Sequence, residues 1–185
     1  FAFMIAEGFI HTRSRYRYFF TLLGFAVISE IPWYLLNGAD GTHNVIFTLA
    51  LGVATLMVLE NLLQRSMVLG FLWTLGMAGI ASWLGVDYEW RGIIVIVIFY
   101  LFNVYGHSFP YSRGMQFFST FALMIHYGVI GAVMACMILY LYNGKRGFVQ
   151  GSIAKYGFYA FYPAHFILFI QICERSFPCI LMFKL

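Results

Sequence analysis

The feature that most constrains the fold of this chain is a succession of apolar runs close to the length of a membrane-spanning helix. A bilayer span needs about 20 mostly apolar residues in an α-helix, because hydrocarbon offers nothing to satisfy exposed backbone groups. Seven runs approach that description: 1–10, 18–36, 45–63, 67–84, 92–105, 115–142 and 156–173. The sequence therefore predicts an all-α fold, a polytopic transmembrane helix bundle of about six to seven spans with short loops.

Composition agrees with this prediction. The chain is 62% hydrophobic and 10% charged, whereas a soluble domain is typically about 25% charged. The connections are short and rich in Gly, Asn, Asp, Pro and Ser, so we expect residues 1–185 to form one integral membrane domain whose first partner is the lipid bilayer. The net charge of +4 lies in short clusters, which argues against nucleic-acid binding. The three cysteines have neither disulfide nor zinc-site spacing.

The basic clusters predict the orientation of the bundle, with one conflict. Short loops rich in Lys and Arg stay in the cytoplasm, and residues 11–17 contain three arginines, so this connection is predicted to be cytoplasmic. Strict alternation of the runs then places Lys145, Arg146 and Lys155 outside, against the rule. Either the run 92–105 re-enters instead of spanning, or those cations lie outside for a functional reason.

Three ionisable residues are predicted to lie at helix-centre depth within these runs, Glu7, Glu30 and His126, and His165 lies close to that depth. Such a group costs about 2.5 to 3.5 kcal/mol at the centre of a membrane helix, so each needs a partner or a function. Glu7 precedes His11 by four residues, which places both on one helical face. The alternative for Glu7 is an ion pair with a nearby arginine that joins two helices.

Proline accompanies two of these groups. Pro32 follows Glu30 and removes a backbone donor, which predicts a kink near this carboxylate. Pro163 precedes His165 and loosens the helical turn before it. Because broken helices at membrane depth line cavities or are covered by protein, Glu30 is predicted to face a cavity. The alternatives are a helix-end charge for Glu30 and a hydrogen-bonded core residue for His165.

The segment YNGKRGF combines a tight turn with two cations. Backbone amides of a Gly-rich turn and a guanidinium fork both suit phosphate oxygens, so Asn143, Lys145 and Arg146 are candidates for a phosphate cradle. A solvated loop at the membrane edge is the alternative. The common nucleotide-binding and hydrolase signatures are absent from this sequence, which leaves acid–base residues in a membrane cavity as its visible chemical machinery.

The chain resembles the TraX family of integral membrane proteins in blocks that follow the family's order. These blocks are FAFMIAEGFIHTRSRYRYFFTLLGFAVISEIPWYL, NVIFTLALG, DYEWRGIIVIVIFYLF, YNGKRG and KYGFYAFYPAHFILF. The family takes its name from a conjugation protein that acetylates the N-terminus of pilin, and it is related to multipass membrane acyltransferases. The resemblance implies a multi-pass acetyltransferase of the bacterial cytoplasmic (inner) membrane. Its acyl donor would be acetyl-CoA, and its acceptor the amine or hydroxyl of pilin or of another membrane or envelope molecule.

The same resemblance implies roles for residues of this sequence. The implied catalytic residues are Glu7, His11 and His165. The implied cofactor-binding residues are Arg13, Asn143, Lys145 and Arg146. Substrate-binding or structural polar roles fall to Glu30, Asn44, Asp87, Tyr88 and Tyr162, and no metal is implied. Family members usually begin with a further helix that carries an Asp–His pair, so we expect that helix to precede Phe1, and its His is another candidate base.

Two functions without acyl transfer stay open on the sequence alone. One is a transporter or channel, in which Glu7, Glu30 and His165 form a proton or ion path. The absence of an obvious inverted repeat counts against a secondary transporter. The other is a pilus-assembly scaffold, which would bind a partner's membrane helix without chemistry.

Overall fold

The computed structural model describes residues 1–38, 40–106, 111–142 and 152–176, with the backbone alone at 113, 152–155, 158 and 173–176. Within these residues the chain forms eight α-helices. They are α1 (Ala2–His11), α2 (Arg15–Asn37), α3 (Val45–Arg65), α4 (Met67–Trp83), α5 (Glu89–Tyr105), α6 (Ser112–Met124), α7 (Val129–Leu141) and α8 (Ser152–Ser176). The described part contains no strand beyond one isolated parallel bridge between His43 and Val86. The predicted all-α fold is confirmed.

Helix α3 lies at the centre of the bundle and packs against α1, α2, α4 and α5. Its apolar residues recur on several faces, which is why the helix is buried on more than one side. The core around it contains Phe9, Leu22, Leu56 and Phe99, each almost fully buried. Burial of a side chain of this size contributes about 1.5 to 3 kcal/mol, so these contacts are a principal source of stability.

Short polar signals set where the long helices begin. The hydroxyl of Ser14 accepts a hydrogen bond from the backbone N–H of Arg17 at 3.4 Å and caps α2. The side-chain oxygen of Asn44 accepts from the N–H of Ile46 at 3.0 Å and caps α3. Pro32 does not interrupt α2, which continues through it to Asn37 as one helix. The helix is therefore continuous through the position at which a kink is predicted.

The prediction of one long span over 115–142 is wrong. The chain there forms α6, a 3₁₀ turn at Ile125–Tyr127, and α7. At Gly128 the backbone has φ +127°, a conformation that side-chain-bearing residues rarely adopt, and this glycine reverses the chain. The two helices then run antiparallel, since Phe117 of α6 lies against Tyr140 of α7 with ring centroids 6.2 Å apart.

The helix directions give the bundle two chemically different ends. At the basic end α1 passes into α2 and α3 passes into α4, and this end carries His11, Arg13, Arg15, Arg17 and Arg65. At the acidic end α2 passes into α3 and α4 passes into α5, and this end carries Asp40, Asp87 and Glu89. The separation of charge therefore follows the long axis of the bundle.

Helix α5 bears on the orientation conflict in the sequence. It contains the run 92–105 and passes from the acidic end of the bundle to the basic end. The chain reverses at Gly128, and Tyr142 then lines a cavity at the basic end together with Gly106 and Ser112. Helix α8 runs parallel to α2, with Tyr159 against Phe25 and Phe166 against Trp33. It therefore begins at the basic end.

Two of the described helices, α2 and α3, are long and apolar enough to cross a membrane. The apolar helices α1, α4 and α7 and the apolar part of α8, Tyr159–Ile172, are shorter than this measure requires. Among the described residues, two helices therefore meet it, against the six to seven spans predicted. Large apolar side chains also cover outward faces of the bundle. Exposed examples are Phe20, Ile31 and Leu35 on α2, Met67 and Phe71 on α4, and Ile130 and Ile138 on α7. Soluble monomers rarely expose such continuous apolar surface, which indicates a membrane association.

Candidate functional site

A carboxylate and an imidazole lie together at the basic end, as their spacing predicts. The Nε2 atom of His11 is 3.4 Å from Oε2 of Glu7, one turn earlier on α1. The Glu7 side chain is 24% exposed and that of His11 is 75% exposed, so the covered carboxylate holds a ring that reaches solution. When Nε2–H donates to Glu7, the Nδ1 lone pair faces away and is able to accept a proton.

Two amides that the sequence analysis did not select complete this site. The Asn103 Nδ2 group donates to the second oxygen of Glu7 at 2.7 Å, and Gln116 Nε2 donates to Asn103 Oδ1 at 3.4 Å. The sequence signal for Asn103 was its position inside an otherwise apolar run, where an amide needs a hydrogen-bond partner. Sequence spacing does not identify that partner, because the three residues lie on α1, α5 and α6.

Glu7 makes no ion pair with an arginine among the described residues. That role belongs to Glu60, whose carboxylate binds both terminal nitrogens of Arg15. The guanidinium carbon of Arg15 also lies 4.7 Å from the centroid of the Phe9 ring. Arg15 is thus committed to joining α2 with α3, whereas Glu7 is available to orient His11.

A cavity of about 250 Å³ adjoins the Glu7–His11 pair. Its polar wall is formed by Glu7, Asn103, Ser112 and Gln116, and its aromatic wall includes Phe3 and Tyr142. Arg13 lies exposed at the same end and makes no hydrogen bond or ion pair with the part of the chain that the structure describes. Asn143, Lys145 and Arg146, the other predicted cofactor-binding residues, lie outside the described residues.

A second carboxylate–imidazole pair lies at the acidic end, where Glu30 meets the loop before α3. Oε1 of Glu30 is 2.5 Å from Nδ1 of His43, and its other oxygen accepts from Asn44 Nδ2 at 2.6 Å. Asn44 also donates to the carbonyl of Ala26 at 2.9 Å. The carboxylate of Glu30 is therefore occupied by protein donors. His43, which the sequence did not indicate as a candidate functional residue, is one of the principal partners of Glu30.

Two loops hold this acidic-end cluster together. The N–H of His43 donates to the carbonyl of Gly85 at 2.9 Å, and the N–H of Asp87 donates to the carbonyl of His43 at 3.0 Å. Tyr162 reaches the same region from α8 and hydrogen-bonds the backbone of Val45. Five of the predicted polar residues therefore converge here: Glu30, Asn44, Asp87, Tyr88 and Tyr162.

Burial alters the ionisation of two groups in the connection between α4 and α5. Asp87 is half-buried, and desolvation raises the pKa of its carboxyl above the usual value. Desolvation also raises the pKa of the Tyr88 hydroxyl, and the neighbouring Asp87 adds to the effect. Folding therefore makes the Asp87 carboxyl harder to ionise than it is in the unfolded chain.

The structure does not bring His165 to Glu7 and His11. Its ring stacks on Phe161 with centroids 5.2 Å apart, and its Nδ1 lies 3.0 Å from the carbonyl of Phe161. The adjacent Phe166 contacts Trp33 near the C-terminal end of α2. His165 thus lies toward the acidic end, while the Glu7–His11 pair lies at the basic end. Among the described residues, no three His, Cys, Asp or Glu side chains converge as a metal site.

Known proteins agree with the resemblance seen in the sequence. A protein of Dichelobacter nodosus named "Probable fimbrial assembly protein FimC, serogroup H1" is 29% identical over an alignment of 196 positions, gaps included, that covers 90% of this chain and 75% of that protein. No solved structure matches the chain. The family described as TraX protein matches residues 1–173, which include both polar clusters. Because that match covers nearly the whole sequence, the chain belongs to the TraX family.

Proposed function

We propose that this protein is a multi-pass acetyltransferase of the bacterial cytoplasmic membrane that serves pilus assembly. It would transfer acetyl from acetyl-CoA to an amine or hydroxyl of pilin or of another membrane or envelope acceptor. The observation that carries the proposal is the Glu7–His11 pair beside a polar cavity at the basic end. Membership of the TraX family and the likeness to a fimbrial assembly protein support the connection with pili.

The charge distribution supports the access of acetyl-CoA to this pair. Lys- and Arg-rich short connections stay in the cytoplasm, so the basic end faces the compartment that contains acetyl-CoA. The exposed guanidinium of Arg13 is suited to the phosphates of CoA. The segment that contains Asn143, Lys145 and Arg146 follows Tyr142 and precedes Ser152, and both of these residues lie at the basic end. Its proposed contacts with CoA phosphates therefore agree with the positive-inside rule.

The chemistry requires one proton acceptor beside the acetyl thioester. The acceptor nitrogen or oxygen attacks the thioester carbonyl, and Nδ1 of His11 takes the acceptor proton as the new bond to carbon forms. Glu7 holds the ring through Nε2 and stabilises the imidazolium. When the carbon–sulfur bond breaks, the imidazolium returns its proton to the CoA thiolate. General-base catalysis of this kind contributes about 10² to 10⁴-fold to the rate.

Labelled acetyl transfer tests the proposal directly. Inverted membrane vesicles that contain the full-length protein are supplied with radiolabelled acetyl-CoA and pilin, and label is followed in peptide, lipid and glycan fractions. We expect transfer by the wild type and a loss of about 10²-fold or more in His11→Ala. His126→Ala is the matched control, because His126 is exposed at the opposite end beside Tyr127. Absence of label in every fraction with the wild type would overturn the proposal, as would a fully active His11→Ala.

The alternative proton path is less well supported by the arrangement of its residues. It would need a connected route through Glu7, Glu30 and His165. Glu7 lies at the basic end, Glu30 is bound by His43 and Asn44, and His165 stacks among aromatic rings. Acidification of vesicles by the wild type without any acetyl transfer would favour the transporter.

A further inference from the structure

The amides behind Glu7 form a directed chain of hydrogen bonds across three helices. Glu7, as a carboxylate, only accepts, so Asn103 must turn its NH₂ group toward it. The Asn103 carbonyl oxygen then faces Gln116, which donates to it. Gln116 is 8% exposed, so its contacts are made inside the protein. The chain thus runs from α6 through α5 to the carboxylate on α1.

This chain determines which part of Glu7 is free to meet His11. One carboxylate oxygen is held by Asn103 at 2.7 Å, and the other lies 3.4 Å from the imidazole. Among the described residues, Asn103 supplies the hydrogen bond that this carboxylate receives from another helix. Glu7 is on a short helix, α1, so its orientation relative to the rest of the bundle depends on contacts of this kind.

We propose that Asn103, supported by Gln116, is a positioning residue that acts through Glu7 on His11. Its effect on catalysis rests on the proposed acetyl transfer, whereas its effect on His11 itself does not. Other charged or titratable groups near the pair are Arg13, Arg15, Glu60 and Tyr142. Arg15 and Glu60 bind each other, Arg13 is exposed, and the hydroxyl of Tyr142 lies close enough to Glu7 for their charges to interact.

A double-mutant cycle in the full-length protein separates action through Glu7 from a general structural role. We expect Asn103→Leu to lower kcat at least tenfold. We expect little change in KM for acetyl-CoA, because Asn103 is not part of the basic surface proposed to bind CoA. We expect Glu7→Gln to lower kcat similarly and Asn103→Leu to add less than twofold in that background. Asn61→Leu is the matched control, since Asn61 is an exposed amide near the same end whose described hydrogen bond is to the carbonyl of Met57 in its own helix. Additive losses would overturn the proposal.

The isosteric variant Asn103→Asp provides a readout that a packing defect would not imitate. It keeps the shape but replaces the donor by a carboxylate in contact with Glu7, and two such groups repel when both are ionised. We therefore expect low activity at neutral pH and an activity ratio to wild type that rises about tenfold between about pH 8 and about pH 6. A ratio that does not change with pH contradicts the proposal.

The reactivity of His11 tests the network without any acetyl transfer. Diethylpyrocarbonate modification is followed by mass spectrometry for the peptide that contains His11, with the His126 peptide as internal reference. We expect Asn103→Leu to change the His11 rate as much as Glu7→Gln does, and the double variant to match either one. If this holds while the wild type transfers no acetyl, the proposed function fails and the positioning role stands. Unchanged His11 reactivity in Asn103→Leu overturns the positioning role.

Discussion

Individual buried polar residues hold the acidic end together. Glu30 is surrounded by donors from the start of α3, and Asn44 serves at once as helix cap, as donor to Glu30 and as donor to Ala26. A buried polar group that loses its partner costs more than the hydrogen bond contributed. The stability of this end therefore depends on these few side chains. Asn44 is fully buried whereas Glu30 and His43 are partly exposed, so the cost of a lost partner is greatest at Asn44.

Truncation of Glu30 should reveal this dependence. Glu30→Ala leaves His43 Nδ1 and one donor of Asn44 without their acceptor, so we expect a loss of about 1 to 3 kcal/mol in the free energy of unfolding. Glu30→Gln keeps an acceptor and should lose less. Unfolding of purified protein in micelles measures both. Glu89→Gln is the control, because Glu89 is half-exposed with Arg91 at 3.7 Å and such pairs contribute about 0 to 1 kcal/mol. Equal stability of Glu30→Ala and the control would contradict the prediction.

Asp87 should make stability depend on pH. Its folded pKa is raised by burial above the unfolded value of 3.8. The stabilising contribution of the neutral form is therefore complete below that value and is lost as the pH rises through the folded pKa. We expect Asp87→Asn to be more stable than wild type at about pH 7.5 and to lose this advantage at about pH 4.5. Thermal unfolding of both proteins at these two pH values measures the difference in stability.

Asp40→Asn is the companion control for Asp87. Its carboxylate is exposed, and its Oδ1 accepts from the backbone N–H of Thr42, a bond that Asn preserves. We expect this variant to follow the wild type at both pH values. A pH-dependent gain in Asp40→Asn equal to that of Asp87→Asn would show that burial of Asp87 is not the cause.

At the scale of whole elements, the hairpin of α6 and α7 is the feature that depends most on a single residue. Each helix has 13 residues, which is about 20 Å at 1.5 Å per residue. Neither reaches across a hydrocarbon core of about 30 Å. The chain returns to the basic end only because Gly128 adopts positive φ between them.

Substitution at Gly128 should therefore destabilise the hairpin. Gly128→Ala places a side chain at φ +127°, so we expect a loss of about 1 to 3 kcal/mol in stability. Gly131→Ala is the matched control, because this helical glycine has open space around it and Ala favours a helix by up to about 1 kcal/mol. Thermal unfolding in micelles compares the two variants. A neutral Gly128→Ala would mean that the turn does not require this backbone conformation.

At the scale of the whole molecule, opposite charges mark opposite ends of one bundle. The basic end holds the Glu7–His11 pair and its cavity, and the acidic end holds the Glu30–His43 pair. The positive-inside rule then orients both clusters at once. Each pair would face a different side of the membrane.

Cysteine accessibility tests this orientation. In a full-length variant with its native cysteines replaced by serine, we expect Arg13→Cys and Lys145→Cys to react with an impermeant thiol reagent only from the cytoplasmic side. We expect Asp40→Cys, at an exposed position of the acidic end, to react only from the other side. Labelling of positions 13 and 145 from opposite sides would refute the orientation and remove Lys145 from the proposed acetyl-CoA site.

The sequence by itself determined the all-α class, the family and the pairing of Glu7 with His11. These depend on composition, on recognisable blocks and on the spacing of residues within one helix, all of which are local properties of the chain. Local composition also placed the start of an apolar run at residue 45, where α3 begins. It did not distinguish one long helix from two short ones at Gly128, because a run of apolar residues satisfies either arrangement.

Only the tertiary structure decided which residues meet between helices. Asn103 and Gln116 join Glu7, His43 joins Glu30, and Glu60 rather than Glu7 binds Arg15. These partners are separated by up to 96 positions in the chain. The physical reason is that an apolar helix buries a polar group wherever packing supplies a partner, and packing is set by the faces of several helices together.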